Sequence, residues 1–320
     1  MQLRPLGRTG LQIAPIVFGG NVFGWTADEK RSFELLDAFV DAGFNAIDTA
    51  DVYSRWVPGH QGGESETLIG RWLKANPARR QQVLLFTKVG MDMGEENKGL
   101  GKLWIERAVE DSLRRLDTDV IDLYQSHRPD PETSYEETLE TYDKLIKAGK
   151  IRAFGCSNFD ARVLAEAQDS ARINDLPAYQ TLQPEYNLYD RASYDGPLRD
   201  LAMTLGLGVI PYYSLASGFL TGKYRTEADL GQSPRGGGVR KYMTPRGMRI
   251  LAALDQVAQH HDTQPAVVAL GWLIAREGVT APIASATSLE QLKSFSAAAA
   301  LALTEGERAL LDQASAPEPA

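Results

Sequence analysis

Four side chains with complementary acid–base chemistry follow short apolar segments in the first half of the chain. Asp48 ends one such segment, and Tyr53 lies in the loop after it. Lys88 ends the next segment, and His127 follows the one after that. A tyrosine has an unperturbed pKa of about 10, which is too high for efficient proton donation at neutral pH. Because a nearby ammonium stabilises the phenolate, we expect Lys88 to lower the pKa of Tyr53.

The other two residues would support this pair. A buried lysine needs a counter-charge, which Asp48 would supply. His127 would orient a carbonyl oxygen and share its developing negative charge. The set predicts proton transfer to an oxyanion as a hydride arrives at the carbon, and since none of these groups carries a hydride, a cofactor is required. Taken singly, each residue has a plainer explanation, such as an N-cap, a solvated lysine or a packed ring. Only the position of all four at the ends of successive strands favours a catalytic role.

A recurring unit of helix, glycine and strand would bring these side chains together. Residues 29–42 have apolar side chains at helical spacing, and Gly43 fits the position after a helix end. Residues 135–148 and Gly149 repeat this pattern. The predicted short apolar strands are 14–19, 44–50, 83–88, 120–125, 150–157, 181–183, 208–211 and 281–285.

About eight such strands alternating with helices predict an α/β fold, namely a closed (β/α)8 TIM barrel in a single domain over residues 1–320. The alternative is an open doubly wound sheet, but no G-x-G-x-x-G follows the first strand. In barrels of this kind the chemistry lies at the carboxyl ends of the strands. The polar side chains at those ends would therefore converge on one pocket.

Two segments lie outside this pattern. Residues 1–13 contain a Gly-Arg-Thr-Gly turn between short β-like runs, which predicts an N-terminal β-hairpin that could plug the barrel floor. Residues 224–246 are rich in glycine, proline and basic side chains and predict a long mobile loop.

The composition excludes some partners. The chain has 320 residues with 34 basic and 42 acidic side chains, and its net charge of −8 disfavours general binding to nucleic acid. One cysteine and four histidines leave little material for a structural metal site. His260 and His261 are adjacent and would project about 100° apart on a helix, which makes a poor chelate. No apolar run reaches about 18 residues, so we expect no membrane span and a cytoplasmic location.

The motifs along the chain resemble those of the aldo-keto reductase superfamily. They are LGRTGLQIAPIVFGG, FNAIDTADVYS, GGESETLIGRWL, LLFTKVG, VIDLYQSHRPD, KAGKIRAFGCSNF, LQPEYNLYD and PYYSLASGFLTGKY, and the likeness covers nearly the whole chain. The resemblance implies a TIM barrel with an N-terminal β-hairpin that binds an extended nicotinamide cofactor without a Rossmann motif. It also implies a catalytic tetrad of Asp48, Tyr53, Lys88 and His127, with Tyr53 as the general acid.

The resemblance also implies the cofactor contacts. Ser157, Asn158 and Gln183 would hydrogen-bond the nicotinamide carboxamide, and Tyr212 would stack on the nicotinamide ring. The contacts implied for the ribose side and the pyrophosphate are Gly20, Asn21, Ser214, Leu215, Ala216, Gly218 and Gly222. Those implied near the last strand are Ser285, Thr287 and Gln291.

NADP is the implied cofactor, and NAD is possible because the last strand departs from the family pattern. Thr287 stands where relatives often carry an arginine for the 2′-phosphate, and Phe295 stands where they carry an asparagine for the adenine. Arg235, Arg240 or Lys241 could compensate by closing over the pyrophosphate. Alternatively, this basic stretch is simply solvated.

The implied function is the reversible NAD(P)H-dependent reduction of an aldehyde or ketone, a small-molecule carbonyl substrate, to an alcohol. The aromatic residues expected to line the substrate pocket are Phe23, Trp25, Trp56 and Tyr124. One alternative is a non-catalytic, nicotinamide-nucleotide-binding regulatory subunit. Another is a carboxylate-based hydrolase on the same barrel, with Asp51 and Glu185 as its carboxylate pair. The sequence leaves the oligomeric state open.

Overall fold

Parallel strands and helices alternate along the chain. The computed structural model describes residues 1–94, 97–233 and 236–317. Within these residues the strands are β1 (Arg4–Pro5), β2 (Gln12–Ile13), β3 (Val17–Gly19), β4 (Ala46–Asp48), β5 (Leu84–Val89), β6 (Ile121–Ser126), β7 (Ile151–Ser157), β8 (Thr181–Gln183), β9 (Gly208–Val209) and β10 (Ile283–Ala284). The helices there are α1 (Glu29–Asp41), α2 (Glu64–Ala75), α3 (Lys102–Leu116), α4 (Tyr135–Lys147), α5 (Ala161–Ile173), α6 (Pro197–Leu205), α7 (Gly236–Val239), α8 (Pro245–His260), α9 (Pro265–Ala275), α10 (Leu289–Ala300) and α11 (Glu305–Ser315). None of these described helices is both long and apolar enough to cross a lipid bilayer.

The strand order is that of a barrel. Strands β3 to β9 pair in sequence order, and β10 pairs in parallel with β3. Just beyond β9, the Pro211 carbonyl accepts a hydrogen bond of 2.8 Å from the Ile283 amide, which closes the ring. The predicted (β/α)8 TIM barrel is confirmed, and the open doubly wound sheet is wrong.

The predicted units of helix, glycine and strand form as expected. Helix α1 begins after Asp28, whose side chain accepts a hydrogen bond of 2.8 Å from the Arg31 amide and so caps the helix. It ends before Gly43, whose φ of +89° lies in the left-handed region that ends many helices. Gly149 has the same role after α4, with a φ of +72°. These turns send the chain directly back into the sheet.

The N-terminal hairpin closes the barrel at the starts of its strands. Strands β1 and β2 pair antiparallel, and Leu6, Leu11 and Ile13 are buried among the apolar residues inside the barrel. Gly7 has a φ of +54°, and a Cβ at this position would lie 2.3 Å from the Gly208 amide nitrogen. Only glycine tolerates both conditions, and Gly7 thus allows the hairpin to lie directly against the start of β9. The hairpin therefore covers the barrel floor, as predicted.

Alternation along the strands decides which side chains point into the barrel. Phe86 belongs to the apolar cluster inside the barrel, whereas Tyr124 belongs to the larger cluster between strands and helices. In the register of β4 with β5, Asp48 lies opposite Phe86. Lys88, two residues after Phe86, lies opposite Gln125 of β6. The three polar side chains therefore point inward, near the carboxyl ends of their strands.

The basic segment 224–246 is folded where the structure describes it. It has helical turns at Glu227–Gln232, at α7 and at Arg240–Tyr242. Tyr224 and Tyr242 are fully buried and anchor the segment. The prediction of a long loop is therefore wrong for the described residues, because the two tyrosines supply apolar contacts that outweigh the local glycine and charge content.

Candidate active site

Lys88 lies at the centre of the polar side chains inside the barrel. Its ammonium donates to Asp48 Oδ2 at 2.6 Å, to the Thr49 carbonyl at 2.8 Å and to the Tyr53 hydroxyl at 3.0 Å. The side chains of Lys88 and Asp48 are enclosed, with 0% and 1% of their surface exposed. One counter-charge and two oxygen dipoles therefore hold the ammonium. The structure thus brings together these three members of the predicted tetrad.

The second carboxylate oxygen of Asp48 is held by two amides. Gln183 Nε2 donates to Asp48 Oδ1 at 2.9 Å, and Gln125 Nε2 approaches the same oxygen at 3.3 Å. These contacts orient the carboxylate and leave its other oxygen for the lysine. Gln125 is not among the sequence-predicted site residues, although a polar side chain near the end of a buried strand was a signal for it.

His127 completes the predicted tetrad from the end of β6. The centroids of the Tyr53 and His127 rings are 6.0 Å apart, with an interplanar angle of 71°. The backbone of His127 is fixed, since its amide donates to the Val89 carbonyl and its carbonyl accepts from Asn158 Nδ2, each at 2.8 Å. Its Nδ1 is buried and has no hydrogen-bond partner among the described residues. Buried polar atoms without a partner are rare in folded proteins, and a catalytic role is one explanation for them.

Burial and neighbouring charges shift the pKa values of these groups. Burial raises the pKa of Tyr53, and with the Asp48 carboxylate it outweighs the lowering by Lys88. Lys88 therefore acts on the pKa of Tyr53 in the predicted direction, although burial sets the net shift. Burial would lower the pKa of Lys88, but Asp48 and Tyr53 outweigh it and raise that pKa. Burial, Lys88 and Arg128 hold the pKa of His127 well below 6.5, so its ring is neutral at pH 7.

A chain of hydrogen bonds links the predicted carboxamide-binding residues. The Tyr212 hydroxyl donates to Asn158 Oδ1 at 2.6 Å, and Ser157 Oγ donates to the Gln183 carbonyl at 2.8 Å. Asn158 has a φ of +62°, which is uncommon outside glycine and concentrates at functional sites. Through Gln183 this group is continuous with Asp48. The structure therefore brings the predicted amide and hydroxyl groups to the same end of the barrel.

The backbone after β9 is strained in the segment predicted to bind the pyrophosphate. Tyr213, Ala216 and Ser217 have φ values of +55°, +48° and +56°. Gly218 and Gly222 have values of +97° and +78°. Non-glycine residues keep such a conformation only where the surrounding structure imposes it. Backbone amides in turns of this kind form concavities that bind anions, so the segment fits a cofactor pyrophosphate.

Further contacts hold this segment and add a cation to it. Ser214 Oγ donates to the Ile283 carbonyl at 2.8 Å, and the Leu215 carbonyl accepts from the Gly218 amide at 2.8 Å. A Cβ placed on Gly218 would lie 3.8 Å from Lys223 Nζ. Lys223 is not among the sequence-predicted site residues, although its position directly after the segment was a signal for it.

The ends of β3 and β10 meet beside Asp48. Ser285 Oγ donates to Asn21 Oδ1 at 2.7 Å. A Cβ on Gly20 would lie 3.0 Å from the Asp48 carbonyl oxygen, so glycine permits the close approach of this turn to β4. The three residues predicted here are therefore close to the tetrad.

The loop after β10 is held by its own side chains. The amide and hydroxyl of Thr287 donate to Gln291 Oε1 at 2.8 and 3.2 Å. These two predicted cofactor residues therefore contact each other. Phe295 is buried in an aromatic cluster with Phe18 and Phe39, and it contributes to the core.

The cations expected to compensate have other contacts or lie outside the described residues. Arg235 lies outside them. Arg240 is 68% exposed and lies 4.0 Å from Glu227. Lys241 Nζ lies 4.7 Å from the centroid of the Tyr242 ring. Closure of these residues over a pyrophosphate stays a prediction.

Of the four aromatic residues expected at the pocket, Trp56 lies beside Tyr53, and Trp25 packs against Trp56. Trp56 is 48% exposed, and its ring centroid is 6.0 Å from that of Tyr53 and 5.6 Å from that of Trp25. Phe23 and Tyr124 are fully buried in the core, so these two predictions are wrong. Tyr124 points from its strand toward the helices because inward and outward positions alternate along a strand.

The carboxylates proposed for a hydrolase have separate surroundings. Asp51 is buried, and its charged neighbours include Glu66 of α2 and Arg115 of α3. Burial and Glu66 raise the pKa of Asp51 well above its usual value, and its carboxylate oxygens have no hydrogen-bond partner among the described residues. Glu185 is half-buried beside Asp190. The shared cleft between two carboxylates that glycoside hydrolysis needs is therefore not formed by this pair.

Known proteins similar to this chain include oxidoreductases and a channel subunit. The model of the Aldo/keto reductase family matches residues 15–316. The uncharacterized oxidoreductase YrpG of Bacillus subtilis (strain 168) is 33% identical over 300 residues, 92% of this chain and 89% of the relative. The aldo-keto reductase YhdN of the same organism is 33% identical over 307 residues, 92% and 88% of the two chains. A probable voltage-gated potassium channel subunit beta of Oryza sativa subsp. japonica is 31% identical over 299 residues, 91% and 89% of the two chains.

Proposed function

Since the chain belongs to the aldo/keto reductase family, we propose that it is an NAD(P)H-dependent enzyme that reversibly reduces an aldehyde or ketone to an alcohol, with Tyr53 as the proton donor. The observation that carries this proposal is the position of Lys88 Nζ, 3.0 Å from the Tyr53 hydroxyl and 2.6 Å from Asp48 Oδ2. An ammonium held in this way stabilises a phenolate at the moment it forms.

The proposed proton transfer uses the chain's own side chains. When bound, a reduced nicotinamide supplies the hydride to the carbonyl carbon, a chemistry that side chains do not provide. As the electron pair of the C=O bond moves to oxygen, Tyr53 gives that oxygen its proton. Lys88 stabilises the resulting phenolate, and Asp48 keeps Lys88 charged. Neutral His127 donates a hydrogen bond to the same substrate oxygen. In the reverse direction the phenolate accepts the alcohol proton.

The proposed cofactor contacts are supported by the strained segment and the hydrogen-bonded amides. Asn158 and Gln183 would bind the carboxamide together with Ser157, and the Tyr212 ring would stack on the nicotinamide. The backbone of 213–222 would receive the pyrophosphate, with Lys223 as its nearby cation.

We propose NADP as the cofactor, with NAD as the alternative. Lys223 would serve the pyrophosphate, which is common to both cofactors. Thr287 has no charge to offer the 2′-phosphate that distinguishes them. Discrimination between the two cofactors is therefore expected to be modest.

A regulatory role without turnover is the second candidate. It is favoured by the similarity to a protein named as a probable voltage-gated potassium channel subunit beta. Such a protein would bind the cofactor through the same segment while the acid–base residues stay unused.

A panel of aldehydes, ketones and sugar derivatives, assayed separately with NADPH and NADH, tests these proposals. Cofactor affinity is measured in parallel by quenching of protein fluorescence. Cofactor oxidation that depends on the carbonyl compound supports the reductase. Tight cofactor binding without oxidation across the panel contradicts it and supports the regulatory candidate. Hydrolysis of a glycoside without nicotinamide would contradict both.

A further inference from the structure

A surface cluster outside the proposed active site brings two histidines and a glutamate together. His260 ends α8, His261 caps it, and Glu307 lies in the first turn of α11. His260 Nδ1 and His261 Nε2 lie 2.7 and 2.8 Å from the same atom, Glu307 Oε1. The three donor atoms all lie within 4.8 Å of one another.

The two histidines converge on one oxygen at the end of α8, where His261 is the capping residue. Adjacent residues of a regular helix project about 100° apart. His261 instead has φ of −97° and ψ of 6°, and its ring centroid is 5.0 Å from that of His260. The expectation that this pair makes a poor chelate is therefore wrong in its geometry.

Glu307 is held in place by the start of its own helix. Its Oε2 accepts hydrogen bonds from the Thr304 amide at 2.8 Å and the Thr304 hydroxyl at 2.9 Å. Oε1 is thereby directed at the histidines, and outer hydrogen bonds of this kind orient the ligands of metal sites. The side chains of Glu307 and His261 are 11% and 22% exposed, whereas that of His260 is 70% exposed. The cluster is therefore rigid on one side and open to solvent on the other.

We propose that His260, His261 and Glu307 bind a divalent transition-metal ion of the zinc class. Two imidazole nitrogens and a carboxylate oxygen are zinc ligands, and water would take the fourth position. Ligands at about 2.0–2.1 Å from a tetrahedral ion lie roughly 3.3 Å apart, so each histidine nitrogen needs to move only about 0.5 Å away from Glu307 Oε1. The two nitrogens already lie within 4.8 Å of each other, so rotation of the rings can adjust that third distance. Mg²⁺ prefers oxygen ligands in an octahedral shell and is not expected to bind.

The ion would join two packed helices at one end. At the other end of the pair, Arg246 of α8 donates to the carbonyl of Ser315, which ends α11, at 2.8 Å. A metal between the end of α8 and the start of α11 would therefore fix both ends of α11 and stabilise the folded state. None of its three ligands belongs to the proposed catalytic or cofactor residues, so this site does not depend on the proposed function.

Calorimetric titration of the full-length, chelator-treated protein with ZnCl₂ tests the site. We expect one Zn²⁺ per chain, no binding of Mg²⁺, and a rise in Tm of about 4 °C at a Zn²⁺ concentration of about 100 times Kd. His260→Ala and His261→Ala are each expected to weaken Zn²⁺ binding by about tenfold or more. The matched control is Glu305→Gln, which removes a carboxylate from the same helical turn and should leave binding unchanged.

Two results would overturn the proposal. The absence of Zn²⁺ binding would mean that the histidines only hydrogen-bond Glu307. Equal binding by the wild type and both histidine variants would mean that the ion binds elsewhere, for example at His60 or His127. The histidine variants are decisive because they leave the contact between Glu307 and Thr304 intact, whereas Glu307→Gln alters the helix start as well.

Discussion

Lys88 of β5 and Tyr53 of the loop after β4 share a hydrogen bond of 3.0 Å, and the ammonium also lies 4.7 Å from the centroid of the tyrosine ring. The lysine can therefore stabilise charge on the phenol oxygen without a large movement of either side chain. Because Tyr53 would give up the proton and Lys88 would stabilise what remains, the two residues can be tested separately.

Tyr53→Phe removes the proposed proton donor and keeps the ring. We expect kcat for a reactive aldehyde to fall by about 10²–10⁴-fold, since this is the usual contribution of general acid catalysis. Cofactor affinity, measured by fluorescence, should change little. The control is Tyr135→Phe, which removes a surface hydroxyl bonded to Glu166 and should keep full activity. Turnover of Tyr53→Phe within a few-fold of the wild type would show that another group donates the proton.

Lys88→Met leaves the Asp48 carboxylate buried without its cation. We expect turnover to be lost and the free energy of unfolding, measured with urea, to fall by about 3–5 kcal/mol. Adding Asp48→Asn removes the unpaired buried charge, so the double variant should recover much of this stability and none of the activity. A single variant as stable as the wild type would contradict the buried ion pair.

His127 is expected to remain neutral well below its usual titration range. Its lowered pKa means that the unfolded chain binds more protons below about pH 6.5. The stability that His127 contributes is therefore present above this pH and is lost as the pH falls toward the pKa of the folded state. His127→Gln cannot bind the proton, so acidification through this window should destabilise it less than the wild type. NMR titration of the His127 ring with a midpoint near pH 6.5 would contradict this prediction.

Asp51→Asn is expected to stabilise the protein at neutral pH. The raised pKa means that folded Asp51 stays protonated where the unfolded residue ionises, which costs stability above about pH 3.9. Asparagine has no such cost. The gain in the free energy of unfolding should thus grow as the pH rises from about 4 toward 7 and vanish below that range. A gain that does not depend on pH would point to packing instead.

Thr287→Arg is expected to raise the ratio of kcat/KM for NADPH over NADH about tenfold, because a charge-assisted hydrogen bond to the 2′-phosphate is worth about 1.5 kcal/mol. Lys223→Gln provides the contrast. It should raise KM for both cofactors and leave their ratio unchanged, since both carry the pyrophosphate. A change of that ratio in Lys223→Gln would mean that Lys223 contacts the 2′-phosphate.

The barrel was predictable because its signals are local. Helical spacing that ends at Gly43 or Gly149 and leads into an apolar strand sets each repeat, and polar residues after the strands identify the end that carries the site. The features that the sequence did not predict depend on contacts between residues far apart in the chain. The pKa of Tyr53 depends on how completely it is buried, and the convergence of His260 and His261 depends on Glu307, which belongs to another helix.

The pairing of β4 with β5 has a consequence for folding errors. Asp48 lies opposite Phe86, and Lys88 follows two residues later on the same face. Because inward and outward positions alternate, a one-residue slip of β5 would turn Lys88 toward the helices and leave Asp48 without its cation. A barrel with this register error would contain a buried carboxylate without its cation and would lose the contact between Lys88 and Tyr53. The ion pair therefore disfavours the shifted register and helps to specify the alignment of the strands.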